Sequence, residues 1–351
     1  MFHPSAGRRR GAVLAQALAQ ALARIPAQVP ALALAALLVT GPARANDSAA
    51  ELDAGGLVLV RDADIALLSE DLRVGLDRIA VDYVFRNRAA EPKRVRVAFP
   101  LPAIDGATLS FSALSLPFED RANFVGFTVT VDGAEIRPEL EERAYLGERE
   151  VTDTLKRHRL PLNPLRRDDM EKAVAALSPE TRRALIADGL LPEADGPDGA
   201  LWRLDAKFHW EQVFPPGRDL AVSHAYVPVK GFHLLDMREA AGREYRTRYC
   251  LDDAGLRGVK RLSERMKTPD KLVYAAVVPY IVTTAKNWAG RIGRFTLTVD
   301  KGRPETLVSF CRKGVTKTGP TTFRWEANDY APDDDLRVLF LSGDPAAVGI
   351  K

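Results

Sequence analysis

The sequence predicts a mainly β fold: two β-sandwich-like units, with a helical insertion of two to three short helices in the first. Three observations lead there. Apolar and polar residues alternate over several short runs, the period of a strand with one buried face. That period changes between residues 139 and 200, where helix-capping patterns occur. Strand-like runs then return at a spacing of roughly 10–15 residues, the rhythm of a sandwich. The chain has 351 residues, 46% of them hydrophobic and 28% charged, which suffices for about two domains with packed cores.

Taken in order, residues 1–45 read as a secretory signal peptide. Arg8, Arg9 and Arg10 form a basic start, and Val29 to Thr40 is an apolar run too short to span a membrane. Ala43-Arg44-Ala45 is an A-x-A cleavage site, so the mature chain is expected to begin at Asn46, after Ala45. An amphipathic helix is the competing reading, since Leu14, Leu18 and Leu22 recur four apart.

Strands follow. Ile79, Val81, Tyr83 and Phe85 share one face, as do Val95, Val97 and Phe99, and Val125, Phe127, Val129 and Val131. Asp132-Gly133 marks a tight hairpin, and Pro100 ends its strand because proline cannot donate to a ladder. In the insertion at 139–200, a helix is expected across Glu139–His158. A second begins at Asp168 with Glu171 three residues on, and a third at Ser178-Pro179 with a stop at Gly189. Pro192 to Gly199 is a loop. Trp202, Leu204, Ala206, Phe208, Trp210 and Phe214 then form a new apolar face, Pro215 to Arg218 turns the chain, and Leu220, Val222, His224 and Tyr226 return. The halves 56–136 and 201–229 must pair across the insertion, giving a first unit at 46–235. A second unit at 236–351 contains a central strand in Leu272–Thr284, apolar on both faces, and shorter runs at 295–299, 307–311, 323–325 and 336–340.

The charge balance removes nucleic acid as a partner. The formal charge is +3, but residues 1–45 carry five arginines and no Asp, Glu or Lys. Removing five of the 50 bases leaves 45 against 47 acids, a net of −2. Cys250 and Cys311 are the only cysteines; in an exported chain an even pair is a disulfide candidate, with two buried thiols as the alternative. Neither CxxC chemistry nor a cysteine-ligated zinc site fits that count.

Several motifs resemble a known family. They include Gly55-Gly56-Leu57, Tyr83-Val84-Phe85-Arg86-Asn87, Phe99-Pro100-Leu101-Pro102, His224-x-Tyr226-x-Pro228, Tyr249-Cys250, Asn287-Trp288, Gly293-x-Phe295 and Ser309-Phe310-Cys311. Together they resemble the bacterial exported family called domain of unknown function 4424, over nearly all of the mature chain. The resemblance implies an exported protein and no named activity. Arg291-Ile292-Gly293 departs from the expected Gly-Pro-Ile-Gly turn. The first unit also resembles the vault protein inter-alpha-trypsin β-sandwich domain in Phe85-x-Asn87, Phe99–Pro102 and Phe127–Gly133. That resemblance implies an interaction module.

His209, His224 and His233 lie within 25 residues. Pairing Phe214 with Leu220 in a hairpin sends His209 and His224 to opposite faces, so no shared metal is expected and His224 reads as a core histidine. Asn328 to Asp335 lacks calcium-loop spacing and reads as a solvated turn. Glu141, Glu142, Glu148 and Glu150 read as solvent-facing on a helix. Nucleotide, zincin and G-x-S-x-G motifs do not occur. Trp202, Trp210 and Trp325 sit at core periodicity, whereas Asn287 and Trp288 lie in a polar loop and form a candidate binding surface, with packing the alternative. The sequence therefore names no catalytic residue, metal ligand or cofactor. It points to a periplasmic or secreted binding or assembly module whose partner is an envelope protein or peptide. The alternative is an envelope hydrolase with its site between the two β units.

Overall fold

The computed structural model describes residues 48–53, 56–107, 113–118, 122–193, 200–267 and 270–350. The expected signal peptide at 1–45 and the expected cut between Ala45 and Asn46 lie outside them. Among the described residues the strands form three sheets of seven, eight and five strands. No helix among them is long and apolar enough to cross a membrane.

The seven-stranded sheet is built around Arg203–Phe214. This strand lies antiparallel between Glu139–Leu146 and Lys93–Pro100, with Phe208 opposite Phe99 and Phe214 opposite Lys93. The halves on either side of the insertion therefore pair directly. The eight-stranded sheet holds Ile65–Gly75, Ile79–Asn87, Asp219–Tyr226 and Thr128–Val131 in that spatial order. The hairpin at Asp132-Gly133 is as expected: Val131 faces Ala134, and both turn residues have positive φ (48° and 81°), the signature of a two-residue primed turn.

The chain from Arg203 to Tyr226 departs from the expected hairpin. Arg203–Phe214 and Asp219–Tyr226 belong to different sheets, and Pro215 to Arg218 is a corner between them. Asn87, fully buried, pins this corner. Its Nδ2 donates to Phe214 O (3.0 Å) and Glu91 O (2.8 Å), its Oδ1 accepts from Ala89 N (2.9 Å), and its own carbonyl accepts from Gly217 N (2.9 Å).

The corner lets the two apolar faces meet. Phe208 stacks on Phe127 with ring centroids 4.4 Å apart, and Phe99 lies 5.0 Å from Phe127. His224 sits inside this aromatic layer, 5.1–5.4 Å from the rings of Phe99, Phe127, Trp210 and Tyr83. It is 3% exposed, and burial pushes its pKa down to about 3, so the imidazole is neutral.

Strands on both sides of residue 235 share sheets. Ile292–Asp300 runs parallel to Ile65–Gly75, and Lys230–Leu235 lies between Ala113–Ser115 and Val273–Tyr280. The boundary drawn there from sequence is thus bridged by hydrogen bonds, and the described residues fall within one compact unit. Where Ile65–Gly75 bulges between Leu67 and Ser69, Gly293 faces Leu68 O; a Cβ there would sit 2.5 Å from that oxygen, so only glycine fits. The central strand in 272–284 is Val273–Tyr280, and its Tyr280 hydroxyl bonds the Tyr83 hydroxyl at 3.1 Å. Helices Met237–Ala240, Arg243–Arg248 and Asp253–Arg265 were not foreseen; they form a satellite core with this sheet through Tyr245, Tyr249, Val259 and Leu262. Cys250 and Cys311 are bonded, with Cα atoms 5.0 Å apart. They are 61 residues apart, a loop whose closure contributes about 4 kcal/mol in the chain-entropy picture.

In the insertion, Glu139–Leu146 is a strand, not a helix. Leu140, Glu142 and Ala144 alternate with Glu139, Glu141 and Arg143 in register with Arg203–Phe214, and strand pairing overrides the helical tendency of the segment. Helices occupy Thr152–Arg157, Arg167–Ala175 and Pro179–Ala187. Ser178 caps the last by accepting from Thr181 N, and Gly189 follows its end at φ 72°. The expected cap at Asp168 falls inside the first turn instead. Leu155, Leu160, Met170, Leu185 and Trp202 form a small core of their own, and Trp202 Nε1 donates to Leu162 O at 2.8 Å.

Two outcomes follow from these contacts. Asn87→Ala leaves two carbonyls and one N–H of the corner without their partner, and denaturant unfolding should show a loss of about 2–4 kcal/mol. An unchanged midpoint would show that the corner holds without the pin. For His224, the unfolded chain takes up a proton near pH 6.5 and the folded chain only near pH 3. Its contribution is full above pH 6.5 and falls as pH drops through that window. Wild-type protein should lose stability faster than His224→Phe between pH 6.5 and 4, with an extra slope of up to about 1.4 kcal/mol per pH unit.

Candidate functional site

The residues singled out in the sequence fall in places with clear structural duties. Trp288 is 1% exposed and packs edge-on against Phe85 (5.0 Å) and near Phe214 (6.1 Å). Asn287 Nδ2 donates to Ser48 Oγ (2.8 Å), and its carbonyl accepts from Asp62 N (2.7 Å). Of the expected binding surface, Trp288 is therefore interior, and Asn287 is half-buried with its polar groups engaged. The short 3₁₀ turn Thr283–Asn287 drives the indole into a slot between two phenylalanines.

The three histidines do not converge. His209 lies on the outer face of the seven-stranded sheet, 3.9 Å from Glu139, while His224 is in the aromatic layer. His233 shares a hydrogen bond with the Tyr245 hydroxyl on the five-stranded sheet, and burial lowers its pKa. Among the described residues, no group of three or more His, Cys, Asp or Glu side chains is placed to hold a metal ion. In the acidic run, Asp335 accepts from Val282 N, Thr283 N and Thr283 Oγ1, capping the 3₁₀ turn. Asp333 pairs with Lys286, and Asp334 with Arg312.

The glutamates part company because their segment is a strand. Glu141 accepts from Leu57 N (2.9 Å) and meets Lys207, and Glu150 pairs with Arg143 at 2.8 Å. Glu148 is exposed. Glu142 faces the other way, half-buried beneath the insertion. Burial raises its pKa against the opposing pull of Arg166 and Lys156.

A large concavity, about 910 Å³, crosses the outer face of the eight-stranded sheet. Its floor follows from register. Thr298, Arg73, Ala80, Ala225 and Thr128 lie side by side across five strands; apart from Arg73, whose side chain reaches over to Asp71 and Asp82, these are short side chains where strand neighbours normally fill the surface. In the next row, Asp71, Asp82, Ser223 and Thr130, the last three form one wall. Arg73 bridges Asp71 (3.2 Å) and Asp82 (3.1 Å), and Ser223 Oγ donates to Asp82 at 2.7 Å. The hairpin Leu76–Arg78 and the segment Gly302-Arg303 rise at the end, where Arg303 pairs with Asp344 at 2.8 Å. Sequence reading missed this trough. The alternation marks these residues as outward-facing but does not say which of them become neighbours.

Among solved structures, the chain is similar to a "putative nutrient binding protein" from Legionella pneumophila: 15% identity, TM-score 0.42, covering 80% of this chain and 68% of that one. It is also similar to an M1 zinc metallopeptidase mutant from Deinococcus radiodurans, bound to a Tyr-Ser-Ala substrate: 10% identity, TM-score 0.23, 80% of this chain and 43% of that one. No curated protein matches the sequence. The sequence does match the family described as "Domain of unknown function (DUF4424)" over residues 45–339, and the chain belongs to that family.

Proposed function

We propose that the protein is an exported binding or assembly module of the cell envelope, with no reaction of its own. The observation that carries this reading is the trough on the eight-stranded sheet. Its floor runs across five strands with short side chains on either side of Arg73, and its wall carboxylate Asp82 is held by Arg73 and Ser223. Paired charges on a rigid sheet suit recognition, because their positions are set before a partner arrives. A length of peptide or an envelope protein segment is the partner this shape suits. Export rests on the order of basic start, apolar run and A-x-A site in residues 8–45.

Two measurements test this. N-terminal sequencing of protein from the envelope fraction should begin at Asn46; an intact Met1 on cytosolic protein would overturn export. Ala80→Tyr with Thr128→Tyr should fill the trough while keeping strand-compatible side chains. Crosslinking in cells should then capture its partner from the wild type and fail in the double variant, with unfolding midpoints alike. Equal capture by both would remove the trough as the binding seat.

A further inference from the structure

A second pocket, about 440 Å³, lies under the helical insertion and shares no lining residue with the trough. The strand Glu139–Leu146 contributes Glu142. The helix Thr152–Arg157 and the segment after it contribute Lys156, Arg159, Asn163 and Arg166, and Asp169 completes the rim.

Asn163 is 1% exposed, and its amide is half satisfied. Oδ1 accepts from Leu165 N at 3.0 Å, whereas Nδ2 meets no hydrogen-bond partner among the described residues. A buried donor left so is costly, and an acceptor delivered by a ligand would recover that cost. Arg159 is the second anomaly. It occupies the left-handed position just after the helix, at φ 55°, where glycine is the usual residue. The bonds Arg159 N to Lys156 O and Leu160 N to Leu155 O close this turn. An arginine there carries local strain and brings a guanidinium to the pocket. The charges face one another without direct contact. Arg166 is engaged with Asp169 (3.7 Å), and Arg166 and Lys156 act on Glu142 through space, but Glu142, Lys156 and Arg159 make no ion pair within 4 Å among the described residues.

A simple anion entering this pocket meets Glu142 and Asp169; a simple cation meets Lys156 and Arg159. A ligand bearing both charges satisfies both walls. We propose that the pocket binds a small zwitterion of the amino-acid class, its ammonium against Glu142 and its carboxylate on Asn163 Nδ2, Lys156 and Arg159. The volume falls within the range of small-molecule sites.

Isothermal titration of the full mature chain with glycine, leucine and glutamate, and with acetate and methylammonium as half-ligands, tests this. At least one amino acid should bind, and both half-ligands should bind at least about tenfold more weakly. Glu142→Gln should weaken amino-acid binding by a similar factor without weakening acetate. Asn163→Asp keeps the acceptor for Leu165 N and reverses the donor, and should also weaken binding about tenfold or more. If that variant does not fold, exposed Lys156→Glu carries the same expectation. The proposal is overturned if no amino acid binds, or if acetate binds equally well and is indifferent to Glu142→Gln. Partner capture through the trough is a separate readout, so either site can fail without the other.

Discussion

The fold depends on the corner between Phe214 and Asp219. Four residues carry the chain from one sheet to the next, and two of them are prolines that cannot donate a hydrogen bond. The corner residues Pro216 to Asp219 are exposed, but Phe214 at its start is buried, so water cannot replace the lost ladder partner of the Phe214 carbonyl. Asn87 meets this demand because an amide side chain offers both donors and an acceptor at one point. It bonds Phe214 O, Glu91 O and Ala89 N, and so ties the ends of three strands together. With the corner fixed, Trp210 lies 5.3 Å from His224 across the core rather than beside it in one sheet.

The faces were legible in the sequence, and their partners were not. Period two assigns Phe208, Trp210, His224 and Tyr226 to the interior, and all four are buried. It says nothing about which sheet a strand joins. The Phe214–Leu220 pairing inferred from adjacency assumes that strands close in sequence are hydrogen-bonded, and a four-residue corner serves equally well between sheets. The same limit hides the parallel pairing of Ile292–Asp300 with Ile65–Gly75, set by a bulge opposite Gly293. Glu139–Leu146 was misread for a different reason. Its acidic residues suit a solvent-facing helix, but Leu140, Glu142 and Ala144 alternate at period two, and the paired Arg203–Phe214 strand selects that pattern. In the candidate sites, Trp288 looked exposed because its loop is polar, yet the loop's polar groups are used to hold it in. Asn163 and Arg159 gave no sequence signal beyond the proline-rich run Leu160 to Pro164.

The start of the described chain is secured by polar contacts rather than by apolar burial alone. Asp62 is 7% exposed; it accepts from Asp64 N and Ile65 N and meets Lys93 at 2.9 Å. Hydrogen bonds to the charged form outweigh desolvation and lower its pKa. Asn287 then links Asp62 N to Ser48, joining the first strand to the 3₁₀ turn that buries Trp288. A residue chosen as a surface ligand from sequence is thus part of the lock on the N-terminal strand. Most other ion pairs lie on the surface, where each contributes little.

The insertion shows why a binding pocket can sit outside the main core. Its own cluster, from Val151 to Trp202, packs against the edge of the seven-stranded sheet and is anchored through Trp202 Nε1. A satellite core isolates the residues above it from the aromatic layer, so charged and strained positions cost the sandwich little. Arg159 illustrates this: a left-handed arginine in the central sheets would disturb strand pairing, whereas at the end of a one-and-a-half-turn helix it bends only the local chain. Glu142 is the hinge between the two regions. Its backbone lies in the sheet, opposite Ala206, and its carboxylate lies in the insertion's pocket. The sheet thus sets the position of one charge and the insertion sets the positions of the others.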